Sequence, residues 1–144
     1  MGMTRQDNAG VEGHDYPENS ACHHLFYPKM VPVTIYFEDV ARIADVTGFG
    51  SRNIRKVKDH VFFNEHILDR YVDLGIPAEV RRFDSSLDQA NAWRRLESGA
   101  HTAEDIEWLK HEVAESWYER RHNSGYSEAH NAAERRYRGS PWGR

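Results

Sequence analysis

The stretch Thr102–His122, TAEDIEWLKHEVAESWYERRH, is the clearest helix in the chain, and the rest is read against it. Thr102 followed by Asp105 is a variant of the Ser/Thr-x-x-acid start signal. The hydroxyl accepts from an orphan backbone N–H, and Glu104 and Asp105 suit the positive end of the helix. Arg120, Arg121 and His122 put positive charge in the last turn, and Asn123-Ser124-Gly125 breaks the pattern. At about 100° per residue, Ile106, Leu109, Val113 and Trp117 form one stripe, expected on the core. His111, Glu115, Tyr118 and His122, with Trp108 and Glu104 nearer the start, form a second stripe on roughly the opposite side. A solvated face would carry Lys, Glu and Gln. Imidazoles and a carboxylate mixed with large aromatics predict a helix covered on both sides.

On its N-terminal side, Asp84-Ser85-Ser86 with Asp88 and Gln89 reads as the start of a helix through Trp93 and Leu96 to Glu97, stopped by Ser98-Gly99. Glu79–Phe83 reads as a short extended linker, and Gly75-Ile76-Pro77 ends a helix expected over Asn53–Asp73. Glu38–Val46 reads as a short helix closed by Thr47-Gly48-Phe49-Gly50. Val31–Phe37, VPVTIYF, has strand composition, with Pro32 confining it to an edge or a strand start. On the C-terminal side, Ser127 to about Tyr137 is the last helix, and RYRGSPWGR is a basic tail carrying Trp142. Short connections make sequential helices antiparallel neighbours. The chain is therefore expected to be mainly α, a small bundle of about five helices with at most a short two-stranded β element. Trp93, Leu109, Val113 and Trp117 are expected among its most buried side chains.

Composition sets the bounds. At 144 residues the chain is long enough for one domain, able to remove roughly 68% of its unfolded surface from water without a staple. Residues 1–30 read as a flexible leader and 31–144 as a single helical domain. Cys22 is the only cysteine, so no intrachain disulfide forms. No apolar run approaches the roughly 18 residues of a membrane span, and the N-terminus lacks a signal-peptide core, so membrane insertion by this domain is not expected and a soluble protein is. The net charge of −4 argues against coating nucleic acid by bulk electrostatics. Locally the picture differs: 15 of the 19 cations are Arg, eight of them in doublets, and Ser51–Lys58 holds four cations and no acid. Arg presents a fork that grips phosphate or carboxylate.

The residues able to do chemistry are His60, His66 and Asp69 from one expected helix, His111 and Glu115 from the long helix, and His130 from the last. His66 and Asp69, at i and i+3, could form a dyad in which the acid orients the imidazole; a surface pair is the alternative. His60 and His66, six residues apart, cannot face one site unless the helix breaks between them. His111 and Glu115 lie one turn apart and are the candidate metal ligands, expected within hydrogen-bond reach with His60 or His66 approaching them. His111-Glu112-x-x-Glu115 is not the HExxH zincin motif, because Glu replaces the second His. Cys22-His23-His24 lacks the partner spacing of a zinc site. Without a nucleophilic Cys or Ser elbow, this group suits acid/base hydrolysis or divalent-metal chemistry.

The run Lys58-Asp59-His60-Val61-Phe62, then Glu65-His66-x-Leu68-Asp69, Arg82-Phe83-Asp84, Ala92-Trp93-x-Arg95-Leu96, Gly99-x-x-Thr102, Asp105, Leu109-x-His111-Glu112-x-x-Glu115 and Tyr126-x-x-Ala129-His130-x-x-Ala133 resembles the C-terminal toxin module of bacterial polymorphic toxins, the Rhs-type and type VII (LXG or WXG) secreted effectors. The resemblance covers about residues 50–140, and the Cys22-His23-His24 leader stays outside it. It implies a toxic domain secreted as part of a larger effector, acting in the target-cell cytoplasm and neutralised in the producer by a cognate immunity protein. Joined to the residues above, the expected activity is a His/carboxylate-dependent nuclease with nucleic acid as substrate. A metal-dependent hydrolase of another class, or a non-catalytic helical binding module, are the alternatives.

Overall fold

The computed structural model describes Val33, residues 37–139, Pro141 and Trp142. Among the described residues it contains five α-helices and one two-stranded antiparallel sheet, the mainly α architecture expected. The helices are α1 (Glu38–Thr47), α2 (Ser51–Lys58), α3 (Leu87–Ser98), α4 (Ala103–His122) and α5 (Tyr126–Glu134). The strands are β1 (His66–Leu68) and β2 (Glu79–Arg81), with His66 opposite Arg81 and Leu68 opposite Glu79. The leader, the Cys22-His23-His24 trio and all of the Val31–Phe37 strand except Val33 and Phe37 lie outside the described residues. No helix among the described residues is long and apolar enough to cross a membrane. That includes the 20-residue α4, whose length would suffice but whose acids and bases are too many.

The helix boundaries follow their caps. Ser86 accepts from the backbone of Gln89 at the start of α3, and Gly99 closes it at φ 75°, in the left-handed region that favours glycine. Thr102 and Asp105 form a reciprocal capping box at the start of α4: Asp105 N donates to the Thr102 hydroxyl at 3.2 Å and Thr102 N to the Asp105 carboxylate at 2.9 Å. Arg95 adds a two-pronged grip on the same carboxylate at 2.8 and 2.6 Å, tying α3 to α4. Burial pushes the Asp105 pKa up, but Arg95 and the Thr102 backbone outweigh it and hold it below its ordinary value. The stabilisation from this depressed carboxylate is therefore present above the unfolded Asp pKa of about 3.9 and is lost as pH falls through the lower folded value. In urea melts of the protein and its Asp105→Asn variant, the stability gap should be constant from about pH 5 to 7 and close below about pH 3.5. A gap unchanged at pH 2 would contradict this role.

The continuous helix expected over Asn53–Asp73 does not form. The α-helix stops at Lys58, a wider π-helical turn runs from Asp59 to Phe63, and Asn64 is extended at φ −75°, ψ 150°. The chain then enters β1, because the pairing of His66–Leu68 with Glu79–Arg81 and the stacking of His66 on Phe83 (ring centroids 4.0 Å apart) are available only once the helix ends. Residues 79–81, expected as linker, are the other strand of that pair.

The apolar core joins Ile43 of α1, Ile54 and Val57 of α2, Phe62 of the π turn, Ala92, Trp93 and Leu96 of α3, and Trp108 and Leu109 of α4. Trp93 and Leu109 are buried as expected, but Val113 only partly, and Trp117 is 54% exposed. The buried arc of α4 runs from His111 through Glu115, Trp108, Glu112 and Asp105 to Leu109. Of the polar stripe, His111, Glu115 and Trp108 are thus inside, while its ends Glu104 and His122 are exposed. That burial is supported by partners on other elements, which helical periodicity cannot reveal.

Candidate functional site

Glu115 is the centre of a buried polar cluster. Its side chain is fully buried, with Oε1 3.0 Å from His60 Nε2 and Oε2 2.9 Å from both His111 Nε2 and His130 Nδ1. Four elements build this arrangement: the π turn supplies His60, β1 His66, α4 His111, Glu112, Glu115 and Glu119, and α5 His130. The break after Phe63 is what lets His60 and His66 meet, with ring centroids 4.6 Å apart. The wide π turn re-aims a helical side chain, a feature often found at functional sites.

The hydrogen bonds fix two of the imidazole tautomers. His111 Nδ1 lies 3.0 Å from the Tyr137 carbonyl, which can only accept, so Nδ1–H donates there and Nε2 faces Glu115. Burial lowers the His111 pKa, but the Glu115 hydrogen bond, the field of Glu112 and the Tyr137 carbonyl together reverse the direction and raise it. His66 Nε2–H donates to the His60 carbonyl at 2.7 Å, leaving Nδ1 against Glu119 Oε1 at 2.6 Å. Glu119 Oε2 is buried and has no hydrogen-bond partner among the described residues.

The donor set fits a divalent ion of zinc type. His111 Nε2, His130 Nδ1 and Glu115 Oε2 converge at mutual distances of 2.9, 2.9 and 3.2 Å. A tetrahedral ion with bonds of about 2.0–2.1 Å holds its ligands about 3.3 Å apart, so these atoms need to spread by only a few tenths of an ångström. The Tyr137 carbonyl on His111 Nδ1 is the kind of outer contact that orients a ligating imidazole. Gly139 lies over this set: a Cβ there would sit 3.3 Å from both His111 and His130 rings, and its N–H donates to Glu134. The tail continues to Trp142, which packs edge-on against Trp108.

His60, His66, His111, Glu115 and His130 are thus brought together, and Asp69 is not. The expected His66–Asp69 dyad is replaced by His66–Glu119, because Asp69 lies in the loop after β1 and accepts from Ser127 N at 2.9 Å. There it caps α5, whose N-cap Gly125 offers no side chain and whose missing Cβ leaves room for the Asp69 carboxylate. Glu112 and Glu119 were missed by reading residues singly. Their signal is the spacing Asp105, Trp108, Glu112, Glu115, Glu119, alternating steps of three and four that mark one helix face.

A cleft of about 400 Å³ reaches this cluster at His60, His66 and Glu119 and is lined also by Ser116, Arg120 and Ser124 among others, while Glu115, His111 and His130 lie behind it, outside its lining. Arg120 hydrogen-bonds Ser116 at its rim. The chain matches no family model, no curated protein and no solved structure.

Proposed function

We propose that this chain is the toxic module of a secreted bacterial effector, held in check by a cognate immunity protein, and that it cleaves phosphodiester bonds of nucleic acid in the target-cell cytoplasm. The observation that carries the reading is Glu115, a fully buried carboxylate contacted by three imidazoles from three elements. Core packing alone does not call for such a cluster, since burying charge is costly and structural cores satisfy it more simply. The motif residues that resemble the toxin module include every imidazole of the cluster, which supports the same assignment.

His111, Glu115 and His130 would hold a divalent metal ion. Such an ion lowers the pKa of bound water and stabilises charge on a phosphoryl oxygen. His60, hydrogen-bonded to Glu115 at the cleft, is placed to take or give a proton. Glu119 orients His66, whose other nitrogen is committed to the backbone, so His66 positions His60 through its carbonyl. Arg120 at the cleft rim presents a guanidinium to a phosphate oxygen.

Expression in a bacterial cytoplasm without an inhibitor should arrest growth and leave degraded DNA or RNA. Purified protein should carry about one equivalent of a transition metal by elemental analysis, and a chelator should abolish cleavage. Growth arrest with intact nucleic acids would move the centre to another hydrolase class. Normal growth with soluble protein accumulating would favour a binding module.

A further inference from the structure

The exposed Trp117 lies in a groove on the outer side of α4. This groove, of about 500 Å³, runs between α2 and the end of α5 and is lined by Lys56, Lys110, Trp117, Arg120, Arg136 and Tyr137 among others. Its lining holds four cations and no acid, although the chain carries a net charge of −4. None of the four makes an ion pair with an acid among the described residues, whereas Lys58, Arg42, Arg55, Arg81 and Arg95 all do. The clustering of like charge is felt within the groove: Arg120, followed by burial and Arg52, pushes the Lys56 pKa down. An unpaired cationic channel floored by an exposed indole is poorly explained by folding, since each feature opposes burial or self-repels.

We infer that this groove binds single-stranded nucleic acid, with the backbone phosphates along Lys56, Lys110 and Arg136 and a base stacked on Trp117. A positively charged groove with an aromatic platform is the combination that holds a single strand without sequence preference, because every base has a π-face. Arg120 lines both the groove and the histidine cleft, so the two adjoin at that residue. A duplex keeps its bases stacked inside and offers Trp117 nothing to stack on. The inference rests on the nuclease reading for its meaning, and its test is independent of cleavage.

The test uses fluorescence polarisation of a labelled single-stranded 12-mer with the full chain carrying Glu115→Gln, expected to slow turnover by about 10²–10⁴-fold. Single strand should bind more tightly than duplex of the same sequence. Trp117→Ala should weaken binding about tenfold or more. Lys56→Glu with Arg136→Glu should weaken it further, and the salt dependence should fall by about 0.7 per phosphate contact removed. With Glu115 intact, the same groove variants should retain hydrolysis of a small chromogenic phosphodiester too short to occupy the groove, while losing cleavage of the oligonucleotide. Oligonucleotide binding without any cleavage by the unmodified protein would leave the groove standing and remove the nuclease reading. Cleavage and binding unaffected by the groove variants would remove the groove. Equal binding of polyglutamate, competing with the 12-mer and insensitive to Trp117→Ala, would assign the groove to an acidic protein partner instead.

Discussion

Glu115→Gln should lower nucleic-acid cleavage by about 10²–10⁴-fold, the range in which a positioned acid/base or its immediate electrostatic partner contributes. The substitution keeps shape and volume but removes the charge that His60, His111 and His130 all face. The amide keeps one acceptor oxygen where the carboxylate had two, so His60 and the His111/His130 pair cannot both keep an acceptor, and that pair loses the only anionic member of its donor set, so metal content should fall with activity. Circular dichroism and the melting temperature should change little, because the amide still fills the site. His66→Ala should differ: it removes a ring stacked on Phe83 and a hydrogen bond to the His60 carbonyl, so stability should drop along with activity. Full cleavage by Glu115→Gln would show that the cluster is structural.

Asp39→Ala should destabilise the fold by about 3–5 kcal/mol, the cost of breaking a buried ion pair from one side. The Lys58 side chain is fully buried with its ammonium 2.8 Å from Asp39 Oδ1, and Asp39 Oδ2 accepts from the Trp93 indole N–H at 2.8 Å. One carboxylate on α1 therefore ties α2 and α3 together at the edge of the apolar core. For a chain of this size the loss corresponds to a fall in Tm on the order of 10 °C. The double variant Asp39→Leu, Lys58→Met should recover only part of it, because an apolar pair removes the uncompensated ammonium but takes the acceptor from the buried Trp93 N–H, at a cost of about 1–3 kcal/mol. A loss below about 1 kcal/mol in urea unfolding of Asp39→Ala would mean that the pair is solvated in solution.

The residues alone determined the helical class, the boundaries of α1, α3, α4 and, within a residue or three, α5, because caps and stops are local chemistry: Ser86 and Thr102 meet donors three residues away, and Gly99 supplies its own backbone conformation. They also singled out His60, His66, His111, Glu115 and His130, since imidazoles and a carboxylate among aromatics stand out from a solvated face. The tertiary structure alone decided which face of α4 is inside. Trp117 reads as core by hydropathy yet is exposed, while the Glu115 carboxylate is buried, because burial of a carboxylate depends on partners up to 55 residues away, such as His60 with Glu115. It also ended the helix at Phe63 in favour of β1, through pairing with Glu79–Arg81 and stacking on Phe83 that no local window contains. Asp69 shows the limit most directly: its spacing from His66 suits a dyad, yet its carboxylate went to the N-terminus of α5, whose own cap position is a glycine with no oxygen to offer.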